Sequence, residues 1–274
     1  MAALLEATGA RCELVPMLTS GDTGGKVGPA GLKGLFVHEI VRALQEDELD
    51  IAVHSAKDLP SEDPEGVVVA SVPTRGSAHD LLVTREVSLH GGARVGSSSL
   101  RRRGQLMRAR PELEVVELRG NVDTRLRKLH DGEVDGLVLA EAGLRRLEIA
   151  SEHAERLSPD EMVPAPGQGA LAVQTRTQSE AREIVTTIDD RDSHVAFDVE
   201  RRVVSLLGGG CALPLGAYAQ VVDDRVRLHA VVFRPDGSRF IESSVDGPRD
   251  EDVAPRAADE LLGAGAGEIL GQLR

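Results

Sequence analysis

Aromatic side chains are scarce in this chain: four Phe, one Tyr and no Trp in 274 residues. A protein that binds single-stranded nucleic acid needs stacking platforms, and few are on offer here. The core must be built from Val, Leu, Ala and Ile. No apolar run reaches 18 residues, and the first residues lack the basic-then-apolar pattern of a signal peptide, so neither a membrane span nor export is expected. The two cysteines, Cys12 and Cys211, lie far apart. That excludes a disulfide framework and leaves a cytoplasmic protein with reduced thiols as the expectation. Repeats and low-complexity tracts are missing too, and no metal is expected.

What is present is an ordinary apolar fraction of 41% in a chain long enough for two or three domains. The net charge is −13, yet residues 94–128 hold ten Lys or Arg against four Asp or Glu. A basic island in an acidic protein fits a small anion better than a nucleic acid, which the rest of the surface would repel. Its charges are also placed. Ala93-Arg94-Val95 reads as a strand end, Gly96-Ser97-Ser98-Ser99 as a turn with capping residues, and Leu100 to Arg110 as a helix stopped by Pro111. Arg101, Arg102 and Arg103 then fall in the first helical turn, where the dipole disfavours cations. Backbone N–H groups, serine hydroxyls and guanidinium forks at one helix start form an anion cradle. A solvated basic face capped by serine is the plain alternative. Arg119-Gly120-Asn121 occupies a second strand-to-helix turn, with Arg125 one helical turn on, so two strand ends each supply arginines.

Earlier in the chain, Met1 to Thr8 reads as the latter half of a helix, Cys12 to Met17 as a strand, and the glycine-rich residues 20–34 as a mobile loop carrying Lys26 and Lys33. A helix over Leu35–Glu46 and strands at Asp50–His54 and Val67–Val72 imply parallel pairing with ligands at the strands' carboxyl ends. His54, Lys57 and Asp58 would lie there, although a loop carboxylate is more often a cap or surface ion pair. Further strands are predicted at 81–83, 94–95, 115–118 and 134–140, with a helix at 122–130 closed by Gly132. Pro164 to Gly169 reads as a stiff crossing whose following strand, Ala170–Gln174, could return to the first domain. The C-terminal part reads as a helix to Leu207, a three-strand meander and a last helix. Cys211 follows three glycines, which suit close backbone approach or a mobile loop. A thiol there is accessible for chemistry, or is incidental to a loop.

Taken together, KGLFVHEI (33–40), DIAVHSAKDLP (50–60), VGSSSLRR (95–102), LRGNVDTRL (118–126), PGQGAL (166–171) and GGCALPLGAYA (209–219) resemble the porphobilinogen deaminases, or hydroxymethylbilane synthases. The segments keep the family's order over nearly the whole chain. The resemblance implies a transferase of tetrapyrrole and haem biosynthesis that condenses four porphobilinogen molecules to hydroxymethylbilane with loss of ammonia. It implies a dipyrromethane cofactor held by a thioether to Cys211, with Asp58 as catalytic carboxylate. Arg101, Arg102, Arg119 and Arg125, with Lys57, Ser98, Ser99 and Gly120, would bind the cofactor's and substrate's carboxylates, and Lys33 would serve substrate from its loop.

The implied fold is α/β in three domains. Two are doubly wound and periplasmic-binding-like (1–74 with 168–188, and 75–167). The third is a small C-terminal α+β domain (189–274) with a three-stranded antiparallel sheet. A monomer without nucleic-acid or membrane partners is expected. Two departures stand out. Residues 28–34 read GPAGLKG where the family has a GGKG turn, and the family's opening strand and TRxSxLA turn do not occur in this sequence. Without them the expectation is lower stability and weak or no turnover. A truncated, inactive deaminase and a non-catalytic binder of small carboxylates are the competing readings.

Overall fold

The computed structural model describes residues 1–17, 31–149, 153–209 and 213–272, with backbone alone over 31–36. In chain order the elements are α1 (Ala2–Glu6), α2 (Gly31–Gln45), β1 (Ala52–Ser55), β2 (Val67–Ser71), β3 (Asp80–Thr84), β4 (Arg94–Gly96), α3 (Leu100–Ala109), β5 (Glu114–Val116), α4 (Val122–His130), β6 (Gly136–Ala140) and α5 (Glu141–Arg146). They continue with β7 (Ala154–Arg156), β8 (Leu171–Arg176), α6 (Glu180–Thr186), α7 (Arg191–Leu206), β9 (Leu215–Val222), β10 (Arg225–Phe233), β11 (Phe240–Pro248), α8 (Ala254–Gly263) and α9 (Ala266–Gly271).

The strands form three sheets, β1-β8-β2, β5-β4-β6-β3-β7 and β9-β10-β11. In the first, β8 lies between β1 and β2 and runs antiparallel to both. The returning strand expected after residue 169 therefore takes the central place. The expected direct parallel pairing of residues 50–54 with 67–72 does not occur, because β8 separates them. In the second sheet β5, β4 and β6 are parallel, and β3 pairs antiparallel with β6 on one side and with β7 on the other. The third is the predicted antiparallel meander, with Leu228 opposite both Ala219 and Val245. The mixed α/β class with a small C-terminal antiparallel sheet is as expected.

Sequence-level signals explain most element ends. Ser99, Asn121, Ser179 and Asp190 each cap a helix by accepting a backbone N–H with their side chains. Gly132, at φ +77°, follows α4 in the left-handed conformation predicted for it. Two expectations fail. Cys12 to Met17 is not a strand: it pairs with no described strand in a ladder, and Leu14 and Val15 stand 82% and 55% exposed. Without a neighbouring ladder, apolar alternation alone does not hold a strand. Lys33 lies in the first turn of α2 and not in a loop, while residues 18–30, including Lys26, fall outside the described residues. β7 was not foreseen, because its three residues are exposed and carry no apolar alternation.

α7 joins the modules. Ala196, Val199 and Val203 pack on the third sheet beneath α8 and α9, whereas Phe197 enters the core formed by α2 and the first sheet. α3 touches the third sheet at Gly104, where a Cβ would stand 2.4 Å from the Phe233 ring.

Glu141 ties the end of the second sheet together. It accepts the Ser77 hydroxyl at 2.5 Å, Arg156 at 2.5 Å and Arg145 at 2.6 Å. Burial pushes its carboxyl up, but the bonds from Arg156, Ser77 and Arg145 outweigh this and hold it at about 2 against an ordinary 4.5. A depressed carboxylate stabilises above its unfolded pKa and loses that contribution as pH falls through the folded one. Half-exposed Arg145 and Arg156 are screened by water, so the expected contribution is about 2 kcal/mol. In denaturant unfolding, wild type should exceed Glu141→Gln by a constant margin above about pH 5, and the margin should shrink between about pH 4.5 and 2. A margin independent of pH would count against this ion cluster.

Candidate active site

β1 delivers the carboxylate. Its last residue, Ser55, leads into a single 3₁₀ turn over Ala56–Asp58, fixed by Ala56 N–H donating to Ala170 O and Leu59 N–H to Ala56 O. Ala56 and Leu59 are buried and anchor the turn, leaving Lys57 and Asp58 half-buried at its rim. Gly167, at φ +71°, lies against this turn, and a Cβ there would come within 2.9 Å of Ala56 C and Lys57 N. No residue but glycine fits both the conformation and the approach. Behind Asp58, burial holds the His54 imidazole below its ordinary pKa, opposed by Gln174 and by the charges of Asp58 and Asp63.

The segment after Asp58 is bound to α7. Arg201 donates to Pro60 O at 2.9 and 3.1 Å and to Asp63 at 3.0 Å, and Ser205 donates to Glu62 at 2.9 Å. At the end of α7 the chain turns through Gly208 and Gly209, where a Cβ on Gly209 would stand 3.1 Å from Ser61 Oγ. Cys211 itself falls outside the described residues; Ser61 follows Asp58 by three residues, and Gly209 precedes Cys211 by two.

The arginine-rich helix start differs from an open cradle. Asp80, fully buried at the head of β3, accepts Arg101 Nη2 at 2.6 Å and Arg102 Nη2 and Nε at 2.8 and 3.1 Å. Burial alone would push Asp80 up, but the two guanidinium charges hold its carboxyl below the ordinary range. Arg101 also donates to Val163 O at 2.7 Å and Gln168 Oε1 at 3.3 Å. Arg102 Nη1 donates to no described residue.

The serines divide the work. Ser99 caps α3 by accepting Arg102 N–H, and Ser97 accepts Ser99 N–H, while exposed Ser98 has Arg125 Nη2 at 3.5 Å. Arg125 is half-buried, and its Nε is buried with no described hydrogen-bond partner. Burial and the neighbouring Arg102 charge both lower its pKa. Two guanidiniums side by side in poor solvent make a place for an anion. Gly120, at φ +126°, shapes the other turn, and Arg119 stands 83% exposed beside Glu117 at 2.6 Å.

Sequence reasoning missed Asp80, Gln168 and Arg146. Arg146 donates to Gly169 O at 2.7 Å, burial lowers its pKa, and no described carboxylate pairs with it. Nothing in the sequence distinguishes Asp80 from a surface carboxylate. Gln168 was visible only as part of the PGQG crossing.

Residues 1–183 match the family model "Porphobilinogen deaminase, dipyromethane cofactor binding domain", and residues 195–263 match its C-terminal domain. The chain belongs to the porphobilinogen deaminase family. It is 42% identical over 269 residues to the porphobilinogen deaminase of Syntrophotalea carbinolica, covering 95% of this chain and 85% of that protein. The Thermus thermophilus porphobilinogen deaminase is 44% identical over 250 residues, covering 88% and 83%. Among solved structures, the periplasmic VFT2 domain of Bordetella pertussis BvgS aligns over 56% of this chain and 66% of that one at 18% identity, with a TM-score of 0.35. That score is too low to bear on the architecture, which rests on the strand pairing above. Family membership brings a transferase of tetrapyrrole biosynthesis with a dipyrromethane cofactor and porphobilinogen as substrate. The residues present fit such a polycarboxylate: Arg125 offers a buried donor with no described partner, and Arg102 and Ser98 stand beside it. No His, Cys, Asp or Glu group among the described residues could hold a metal, and none of their helices is long and apolar enough to cross a membrane.

Proposed function

We propose that Asp58 is the catalytic carboxylate for stepwise condensation of four porphobilinogen molecules to hydroxymethylbilane, on a pyrrole chain anchored through Cys211. The observation that supports this is the approach of Gly209, two residues before Cys211, to Ser61, three residues after Asp58: a Cβ on Gly209 would stand 3.1 Å from Ser61 Oγ. The bound dipyrromethane supplies the pyrrole end onto which substrate is joined. Loss of ammonia from porphobilinogen leaves a methylene-pyrrolenine cation, and a fixed carboxylate stabilises such a charge where water screens poorly. Asp58 takes that part and accepts hydrogen bonds from pyrrole N–H groups. Arg102, Arg125, Arg119 and Arg146, with Ser98, bind acetate and propionate carboxylates. Lys57 lies at the rim of the same turn, and Lys33 serves substrate from the first turn of α2. Arg101 and Ser99 hold the cluster in shape from behind, and Gly120 shapes the turn of Arg119.

The chain is divided at residues 74/75, 167/168 and 188/189, and acts as a cytoplasmic monomer without nucleic-acid or membrane partners. The arginine assignment is tested by substitution. Arg125→Leu leaves a substrate carboxylate unpaired in the cleft, a cost of roughly 1–3 kcal/mol. The Michaelis constant for porphobilinogen, or the fraction of cofactor-loaded protein, should worsen by about tenfold or more. Arg103→Leu, on the exposed side of α3, should change neither. Equal small effects at both positions would mean that the basic island is a solvated face.

A further inference from the structure

Two consecutive buried residues in the crossing from the second sheet back to the first touch opposite halves of the site. Gly167 packs on the turn that carries Asp58. Gln168 donates through Nε2 to Ala78 O at 2.6 Å and Asp80 Oδ1 at 3.1 Å, and its Oε1 accepts from Arg101 at 3.3 Å. Both are pinned from the side of α7. Gly167 N–H donates to Glu200 at 2.6 Å, and Glu200 also accepts Arg75 at 2.7 Å and Ala219 N–H at 2.7 Å. Arg75 in turn donates to Gln168 O at 2.9 Å. Glu200 and Gln168 are both buried, so neither faces substrate.

We propose that Gln168 is a positioning residue for the reaction. Through Asp80 it sets where Arg102 stands, and through its peptide bond to Gly167 it fixes the arginine cluster against the turn of Asp58. A growing pyrrole chain has its carboxylates held at one place and its reacting end at another, so where the arginine grip stands relative to that end governs how well the chain and the incoming substrate are bound. The role rests on the assignment of Asp58 and the arginines given above. It predicts different kinetic faults from two neighbouring positions.

Gln168→Met keeps the side-chain length and removes all three polar contacts. It should raise the Michaelis constant about tenfold and shift the enzyme-bound pyrrole chains, read by intact mass, toward shorter ones, with kcat within about twofold of wild type. Gln168→Glu, equal in shape, replaces the donor to Asp80 with a second carboxylate and should show the same fault. Gly167→Ala presses a Cβ onto the backbone of the Asp58 turn, and should lower kcat about tenfold with little change in the Michaelis constant. Asp58→Asn is measured alongside. Full turnover by Asp58→Asn would mean that the catalytic assignment itself has failed. If Asp58→Asn is inactive while both Gln168 variants match wild type in Michaelis constant and chain distribution, the positioning role is overturned. A change confined to soluble yield or thermal midpoint overturns it equally. Should Gly167→Ala not fold, the two Gln168 variants decide.

Discussion

Asp58→Asn is expected to lower turnover at least about 10²-fold and to leave the fold intact. The substitution removes a charge with almost no change in volume. The turn itself is held by backbone bonds from Ala56 and Leu59 and by burial of their side chains, none of which needs a carboxylate at 58. A unit charge about 4 Å from a developing cation contributes roughly 4 kcal/mol at an effective dielectric constant near 20, about a thousandfold in rate. Water reaching a half-buried group reduces this, so a loss of 10²–10³ is the expected range. The measurement is hydroxymethylbilane release at saturating porphobilinogen, with circular dichroism to establish folding. Near-normal release by a folded Asp58→Asn protein would falsify the assignment.

Cys211→Ala is expected to abolish turnover completely, while Cys12→Ala leaves it within about twofold. The difference follows from their surroundings. Cys12 is a partly buried thiol packed beside the core of α1 and the first sheet, its sulfur 4.0 Å from Ala2 O. Gly209, two residues before Cys211, comes close to Ser61, three residues after Asp58. If the thiol is the anchor, its loss leaves nothing to carry the growing chain, whatever the state of Asp58 and the arginines. Activity in Cys211→Ala, or equal losses in both variants, would remove the cysteine from the mechanism.

Much of the fold was legible in the residues because its signals are local. Capping serines and asparagine, Gly132 after α4 and the meander turns each act within a few residues of themselves. Pairing partners were not legible. The place of β8 between β1 and β2 depends on a segment about a hundred residues away, and no periodicity in 50–72 reports it. The same holds for the site. Asp58, Cys211 and the arginines stand in unusual motifs, but the division of labour among the arginines depends on Asp80, which looks like any surface carboxylate in the stretch Ala78-His79-Asp80. Only the structure shows that it is buried and accepts from both Arg101 and Arg102, while Arg125 keeps a buried Nε with no described partner.

The central claim is that this chain works on pyrroles tethered at Cys211, and the intact mass of the purified protein tests it most directly. Protein produced with porphobilinogen available should exceed its sequence mass by two deaminated porphobilinogen units, and the excess should be lost in Cys211→Ala and kept in Cys12→Ala. A bare sequence mass, or an adduct that survives Cys211→Ala, would contradict the account.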